Sequence, residues 1–316
     1  MKIVVLDYFT LNSGDLDDAA LKALGDVTFY DRTSIAQIIE RAKDAEIILT
    51  NKVVLDTAIL AQLPKLEFIS VLATGTNVVD IKAAQARGIA VSNVPAYSTQ
   101  SVAQMVFAHI LNHTQQLAQH DKAVKDKQWQ NCNDFCFQLT PTYSLVGKTL
   151  GLIGFGETGK QVAAIATAMQ MKLLIHSRTK PASLPENTQW VSLEEVFSQS
   201  DIVSLQCPQT SQTEKLVNAN TLSLMKQGAL LVNCARGGLV NEDDLAQALH
   251  HNKLYAGVDV LSTEPPAADN PLLTAPNISI TPHIAWATLE ARQRLLAVTV
   301  ENIKAFKAGQ VINRVN

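Results

Sequence analysis

Residues 149–179, TLGLIGFGETGKQVAAIATAMQMKLLIHSRT, constrain the fold more than any other stretch of the chain. An apolar run leads into glycines at 154, 156 and 159, a helical pattern follows, and a second apolar run closes the unit. In a strand–turn–helix setting the first glycine of G-x-G-x-x-G makes the tight turn. The second lets backbone approach a pyrophosphate, and the third lets the helix pack on the strand. The helix start adds N–H groups and the positive end of a dipole. The segment therefore predicts a dinucleotide held at Gly154, Gly156 and Gly159. A glycine turn alone is common; the flanking patterns give this one its weight.

The same alternation runs through the whole chain. Apolar, β-branched runs at 3–7, 27–31, 46–50, 68–73 and 89–93 form one set. A second set lies at 150–154, 172–176, 202–206, 229–234, 255–260 and 278–282. Helical patterns separate most of them, as expected for parallel sheets built from βαβ units. The strands are apolar on both faces, which fits sheets covered by helices on both sides. Eleven strands are many for one sheet, and 316 residues suffice for two cores. The expected fold is α/β, with two doubly wound parallel-sheet (Rossmann-like) domains and a cleft between them. Residues 1–98 plus 287–316 would form a flavodoxin-like substrate domain, and 99–286 the dinucleotide-binding domain. A long helix is expected over 101–129, capped by Ser98 or Thr99, and another over 288–309, from Thr288 to Gly309. The intervening 131–148 reads as a loop or arm whose aromatics could serve a dimer interface.

Bulk properties exclude several classes. The net charge of −3 argues against a nucleic-acid binder with a basic face. No apolar run reaches the ~18 residues of a membrane span. The opening MKIVVLDYF reads as a first strand and not as a signal peptide, so a cytoplasmic location is the expectation. The four cysteines, at 132, 136, 207 and 234, lack zinc-site spacing, so reduced thiols and no metal are expected.

Three segments after the glycine turn could carry chemistry. Reduction of a keto acid at a nicotinamide needs a cation for the carboxylate, an acid for the carbonyl oxygen, and a group that tunes that acid. In doubly wound domains such groups lie beyond the carboxyl ends of strands. NCARGGLV (233–240) holds Arg236, whose guanidinium can grip a carboxylate with two parallel bonds. GVDVLSTEPP (257–266) holds Asp259 and Glu264, the latter stiffened by two prolines. ISITPHIAW (278–286) places His283 just past a strand. Taken singly, the first two have ordinary readings: a surface arginine in a glycine turn and a solvated loop glutamate. Of the seven histidines, His283 has the most site-like context; His109, His113, His120, His250 and His251 read as surface residues. A carboxylate bonded to an imidazole favours its protonated form, so an acidic partner would let His283 carry a proton near neutral pH.

These segments, with LATGTNVVD (72–80), NVPAYSTQSVAQ (93–104) and LQCPQT (205–210), resemble the D-isomer-specific 2-hydroxyacid dehydrogenase family over nearly the whole chain. The resemblance implies an NAD(P)-dependent oxidoreductase acting on a small 2-keto or 2-hydroxy acid. It implies Arg236 as binder of the carboxylate and carbonyl, His283 as acid/base and Glu264 as its partner. It implies that the backbone of Ala73, Thr74 and Gly75 also holds the carboxylate, and that Asp259 faces the nicotinamide carboxamide. Glu157, Thr158, Cys207, Pro208, Cys234, Ala235 and Trp286 complete the implied cofactor set, and a homodimer is implied. Within the family, DFCF (134–137), HIAWATLEAR (283–292) and NKVVL (51–55) look like the glycerate dehydrogenase, or hydroxypyruvate reductase, group. The chain's end at Asn316 argues against the phosphoglycerate dehydrogenases that carry a C-terminal regulatory domain.

The second strand of the glycine unit bears on the cofactor. An NAD site usually has an acidic residue there, about 20 residues past the glycines, bonding the ribose 2′-OH. Here the strand ends His176-Ser177-Arg178-Thr179. Ser177 and Thr179 can donate to a 2′-phosphate and Arg178 can neutralise it, so NADP(H) is expected to be favoured over NAD(H). The expected reaction is reduction of hydroxypyruvate, and of glyoxylate, to the D-2-hydroxy acid. The alternatives are another small 2-keto acid as substrate, or a nicotinamide-sensing binding protein like the corepressors that resemble this family. A flavin or methyl-donor Rossmann protein would leave Arg236, Glu264 and His283 unexplained.

Overall fold

Five short apolar runs build the first sheet: β1 (Lys2–Val5), β2 (Asp26–Phe29), β3 (Ile47–Thr50), β4 (Phe68–Val71) and β5 (Ala90–Ser92). All neighbours are parallel, in the order β2-β1-β3-β4-β5. Such pairing needs crossovers, and the helices α1 (Ala19–Lys22), α2 (Ile38–Ala42), α3 (Thr57–Ala61) and α4 (Ile81–Ala86) lie within them. Every residue of β3 and β4 is buried, as a sheet covered on both faces requires. The carboxylates of Asp56 and Asp80 cap α3 and α4 by accepting from Ile59 N and Ala83 N.

The second sheet begins after α5 (Thr99–Gln115) and α6 (Leu117–Lys125). Its elements are β6 (Thr149–Ile153), α7 (Glu157–Ala168), β7 (Lys172–His176), β8 (Thr188–Trp190), α8 (Leu193–Gln199), β9 (Ile202–Leu205), α9 (Ala219–Leu224), β10 (Ala229–Asn233), α10 (Glu242–His250), β11 (Leu254–Val258) and β12 (Ile278–Ile280). The seven strands are parallel in the order β12-β11-β10-β9-β6-β7-β8. The strand order reverses between β6 and β9, and a ligand of such a sheet binds outside the carboxyl ends at that switch point. One core lies between the sheet and α8–α10, around Phe197, Leu231, Leu245 and Val258. Another lies under α5 and α7, around Val106, Ile110, Leu152 and Val162.

The last helix, α11 (Leu289–Lys307), belongs with the first sheet. Thr288 caps it by accepting from Ala291 N, and Phe306 stacks on Phe68 of β4 with ring centroids 4.5 Å apart. This computed structural model describes residues 1–316, in two compact units: Met1–Ser98 with Ala287–Asn316, and Thr99–Trp286.

Three expectations need correction. The helix expected over 101–129 is broken at Gln116, whose φ of 49° is left-handed, giving α5 and α6. Periodicity hides a one-residue break because the apolar residues resume on the far side. The sheets hold a twelfth strand beyond the eleven expected: β8 carries no apolar run, being a three-residue edge strand with little burial. His109 is not a surface residue: it is 4% exposed on the inner face of α5. His113, one turn on, is half-buried against the ring of Tyr255. The stretch between α6 and β6 holds no helix or strand, and Phe135 on it is 88% exposed. No helix is long and apolar enough to cross a membrane, and no three metal-ligating side chains cluster.

Candidate active site

The glycine turn follows β6. Gly154 takes φ 102° and packs so closely on the β9 exit that a Cβ would lie 2.5 Å from Gln206 O. Gly159 faces Gly154, where a Cβ would come within 2.7 Å of the carbonyl oxygen. Gly156 is different: a Cβ there would meet nothing within 4 Å. Gly156 is also the N-cap of α7, and no side chain caps that helix start. The first-turn amides of Glu157, Thr158 and Gly159 are therefore uncapped beside a residue with no side chain and open space in front of it, an arrangement that fits a pyrophosphate. Glu157 itself is turned to solvent and pairs with Lys160 at 2.7 Å. Cys207 and Pro208 follow β9, next to the turn. Burial pushes the Cys207 thiol above its ordinary range.

At the end of β7 the Ser177 hydroxyl donates to Thr179 O at 2.8 Å, folding 177–179 into a turn. Arg178 is exposed on that turn and makes no ion pair. Cys234 and Ala235 follow β10. Cys234 is buried, and burial together with the Asp259 charge pushes its thiol far up. Trp286 closes the last segment of the unit and is half-buried.

Arg236 leaves the same strand end. Asn233, 1% exposed, holds its turn: the side-chain amide donates to Arg236 O at 2.9 Å, and its carbonyl accepts from Ala235 N at 3.1 Å. The half-buried guanidinium donates to Ala235 O at 2.7 Å and keeps its other donors free. Gly237 sits where this loop touches the loop after β11; a Cβ would lie 2.0 Å from the carbonyl of Leu261. That contact brings the Arg236 and Glu264 segments together.

Glu264 accepts from Leu261 N at 3.1 Å through Oε1 and meets His283 Nδ1 at 2.6 Å through Oε2. The two side chains are 31% and 27% exposed, so the pair opens to solvent on one side. His283 itself has φ 54°, an uncommon conformation for a residue with a side chain. Asp259 holds it there. This buried carboxylate accepts from Thr281 Oγ1 (2.6 Å), Ile284 N (2.9 Å) and Ala285 N (2.8 Å), while the Asp259 carbonyl accepts from His283 N (2.8 Å). Asp259 is thus the anchor of the 281–285 loop, a role no spacing signalled. Glu242, at the start of α10, likewise holds the 262–270 segment through Ser262 and Asn270.

Ala73, Thr74 and Gly75 lie in the other unit, in the loop after β4. The Thr74 hydroxyl donates to Val94 O at 2.8 Å, and Asn93 donates to Thr74 O at 2.7 Å.

The family model described as "D-isomer specific 2-hydroxyacid dehydrogenase, NAD binding domain" matches residues 107–285. The chain belongs to the D-isomer-specific 2-hydroxyacid dehydrogenase family. It is 44% identical to a hydroxypyruvate reductase of Blautia hydrogenotrophica over all of both chains. It is 40% identical to a glycerate dehydrogenase of Methylorubrum extorquens over 88% of this chain and 90% of that one. Among solved structures, it superposes on the NADPH-dependent glyoxylate/hydroxypyruvate reductase of Sinorhizobium meliloti, in complex with NADP and malonate. The TM-score is 0.84 at 29% identity, covering 99% of this chain and 96% of that one. As a member of this family the protein is an NAD(P)-dependent oxidoreductase acting on a 2-hydroxy acid.

Proposed function

We propose that this enzyme reduces hydroxypyruvate, and more slowly glyoxylate, to the D-2-hydroxy acid, with NADPH used at least as well as NADH. The His283–Glu264 bond of 2.6 Å carries the reading. It occupies Nδ1 and leaves Nε2, the other protonatable atom, without a partner in the chain. Arg236 receives the carboxylate and keto oxygen through its free guanidinium donors. The backbone of Ala73, Thr74 and Gly75 is the second anchor for the carboxylate. His283 donates its Nε2 proton to the oxygen on C2, and the Glu264 carboxylate stabilises the imidazolium before that transfer. A bound reduced nicotinamide supplies the hydride to C2. In the oxidative direction neutral His283 takes the hydroxyl proton instead. The 44% identity to a hydroxypyruvate reductase supports the substrate. The exposed Arg178, with no carboxylate beside Ser177, supports NADPH. Exposed apolar side chains at Leu117 of α6, at Trp129, and at Phe135 and Val146 of the 131–148 arm support a homodimer built through this stretch.

A panel of 2-keto acids, each assayed with NADH and NADPH, tests this. Hydroxypyruvate should give the highest kcat/KM. A tenfold advantage for another acid would overturn the substrate. A preference for NADH by more than about tenfold, ~1.4 kcal/mol, would overturn the cofactor.

A further inference from the structure

A second polar layer lies behind the His283 loop, and the reaction as described makes no use of it. Its centre is His109 of α5, buried against β11 and β12. The strand makes room for the ring: a Cβ on Gly257 would lie 2.7 Å from His109 Cβ and 2.9 Å from Nδ1. Gly257 pairs in register with Ser279 of β12. Ser279 and Thr281, two residues apart, both reach the ring. Nδ1 is 2.8 Å from Ser279 Oγ, and Nε2 is 3.3 Å from Thr281 Oγ1.

Hydrogen-bond directions follow from the far end of this line. Asp259 as a carboxylate can only accept, so Thr281 donates to it and has lone pairs left for His109. The Nε2–H then donates to Thr281, and Nδ1 accepts from the Ser279 hydroxyl. That arrangement serves every atom and requires a neutral ring. Burial favours it, holding the His109 pKa below its ordinary value against the pull of the Asp259 charge. The line ends on the carboxylate that fixes Ile284 N and Ala285 N. The same helix grips the loop a second time, where the Ser101 hydroxyl donates to Ala285 O.

We propose that His109 is a positioning residue for proton transfer: through Thr281 it orients Asp259, and so holds the 281–285 loop that aims His283. The proposal rests on the reading of His283 as the acid/base. It asks for a side chain at 109 that accepts at one end and donates at the other, which a packing role would not need. Leucine keeps the volume and loses both functions, whereas glutamine offers an acceptor and a donor at similar reach.

The test is steady-state kinetics of the full chain with hydroxypyruvate and NADPH, with cofactor affinity measured separately by fluorescence titration. His109→Leu should lower kcat by about tenfold or more, as expected when a reacting group is misaimed, and leave cofactor affinity within about twofold. His109→Gln should recover most of that loss. In a His283→Ala background the leucine change should cost almost nothing further, because the two residues act through one function. Should His109→Leu not fold, Thr281→Val breaks the same line from the strand side and should show the same kcat loss with cofactor affinity kept. Normal kcat in a folded His109→Leu or Thr281→Val, no recovery with glutamine, or losses that multiply with His283→Ala would each overturn the proposal. Normal turnover of His283→Ala alone would instead overturn the acid/base assignment, so the two failures are distinct.

Discussion

The side chains of the site differ in what their removal should cost, and the geometry says why. His283 presents Nε2 because Glu264 holds Nδ1. His283→Ala should lower kcat by roughly 10²–10⁴ with cofactor affinity nearly unchanged, since general acid catalysis contributes on that scale. Glu264→Gln keeps the contact and loses the charge, so its kcat should fall less than that of His283→Ala. Near-normal kcat in His283→Ala, from stopped-flow turnover, would remove the assignment. A different signature belongs to the buried imidazoles. Burial lowers the pKa of both His109 and His113 in the folded protein. As pH falls below about 6.5 the unfolded chain therefore binds protons that the folded chain does not, and stability declines. Above that pH both forms are neutral and the effect vanishes. Asp7 acts oppositely: burial raises its folded pKa, so its ionisation as pH rises weakens the fold. Denaturant melts between pH 7.5 and 5.5 should show a shallower loss for His109→Leu than for the parent; equal slopes would show that His109 titrates alike in both states.

At the scale of elements, loops at the carboxyl ends of parallel strands hold the proposed site residues, and those loops are held by contacts of unequal rigidity. Gly237→Ala would drive a Cβ into the Leu261 carbonyl and to 2.4 Å from Ser262 N, both backbone. In Gly238→Ala the atoms nearest the Cβ all belong to the side-chain amide of the exposed Gln209, which can swing away. The first should destabilise by about 2–3 kcal/mol and the second by under about 1 kcal/mol, a difference of several degrees in Tm. Gly237→Ala should also raise KM for the keto acid, because it pushes Arg236 off the Glu264 loop; calorimetry and kinetics on the two variants check both. This contrast also marks what was legible in the sequence. Strands with apolar runs, the glycine turn, the Thr288 cap and the segments of Arg236, Glu264 and His283 were readable because each depends on local pattern. The supports were not. Glu242 and Asp259 act through partners distant in the chain, 20–28 residues away for Glu242 and 22–26 for Asp259. His109 looked like a surface residue because the glycine that admits its ring is 148 positions on in the chain, at 257.

For the molecule as a whole, the order of elements makes the two units unequal. Residues 99–286 are one continuous stretch with their own seven-stranded sheet and cores on both faces. The other unit is discontinuous: its sheet is complete by Ser92, yet α11 arrives only after residue 287. That helix buries Ala291, Leu295, Leu296, Val300 and Ile303. Four of these are large aliphatics worth roughly 1.5–3 kcal/mol each, so the helix contributes on the order of 6–12 kcal/mol of burial. A domain's whole stability is about 5–15 kcal/mol, so residues 1–98 without α11 have little or nothing left. The terminal residues add to this loss, since Asn316 donates to Ile89 O and accepts from Val91 N along the edge strand β5. Residues 99–286 produced alone should therefore melt cooperatively, and NADPH should raise that Tm, with about 2.7 kcal/mol of stabilisation at a hundredfold excess over Kd. Residues 1–98 produced alone should show no cooperative melt and weak near-ultraviolet dichroism. A cooperative transition in 1–98 would mean that the sheet is self-sufficient and that α11 only decorates it. A melt of 99–286 that NADPH leaves unmoved would mean that the glycine turn does not hold the cofactor without the other unit.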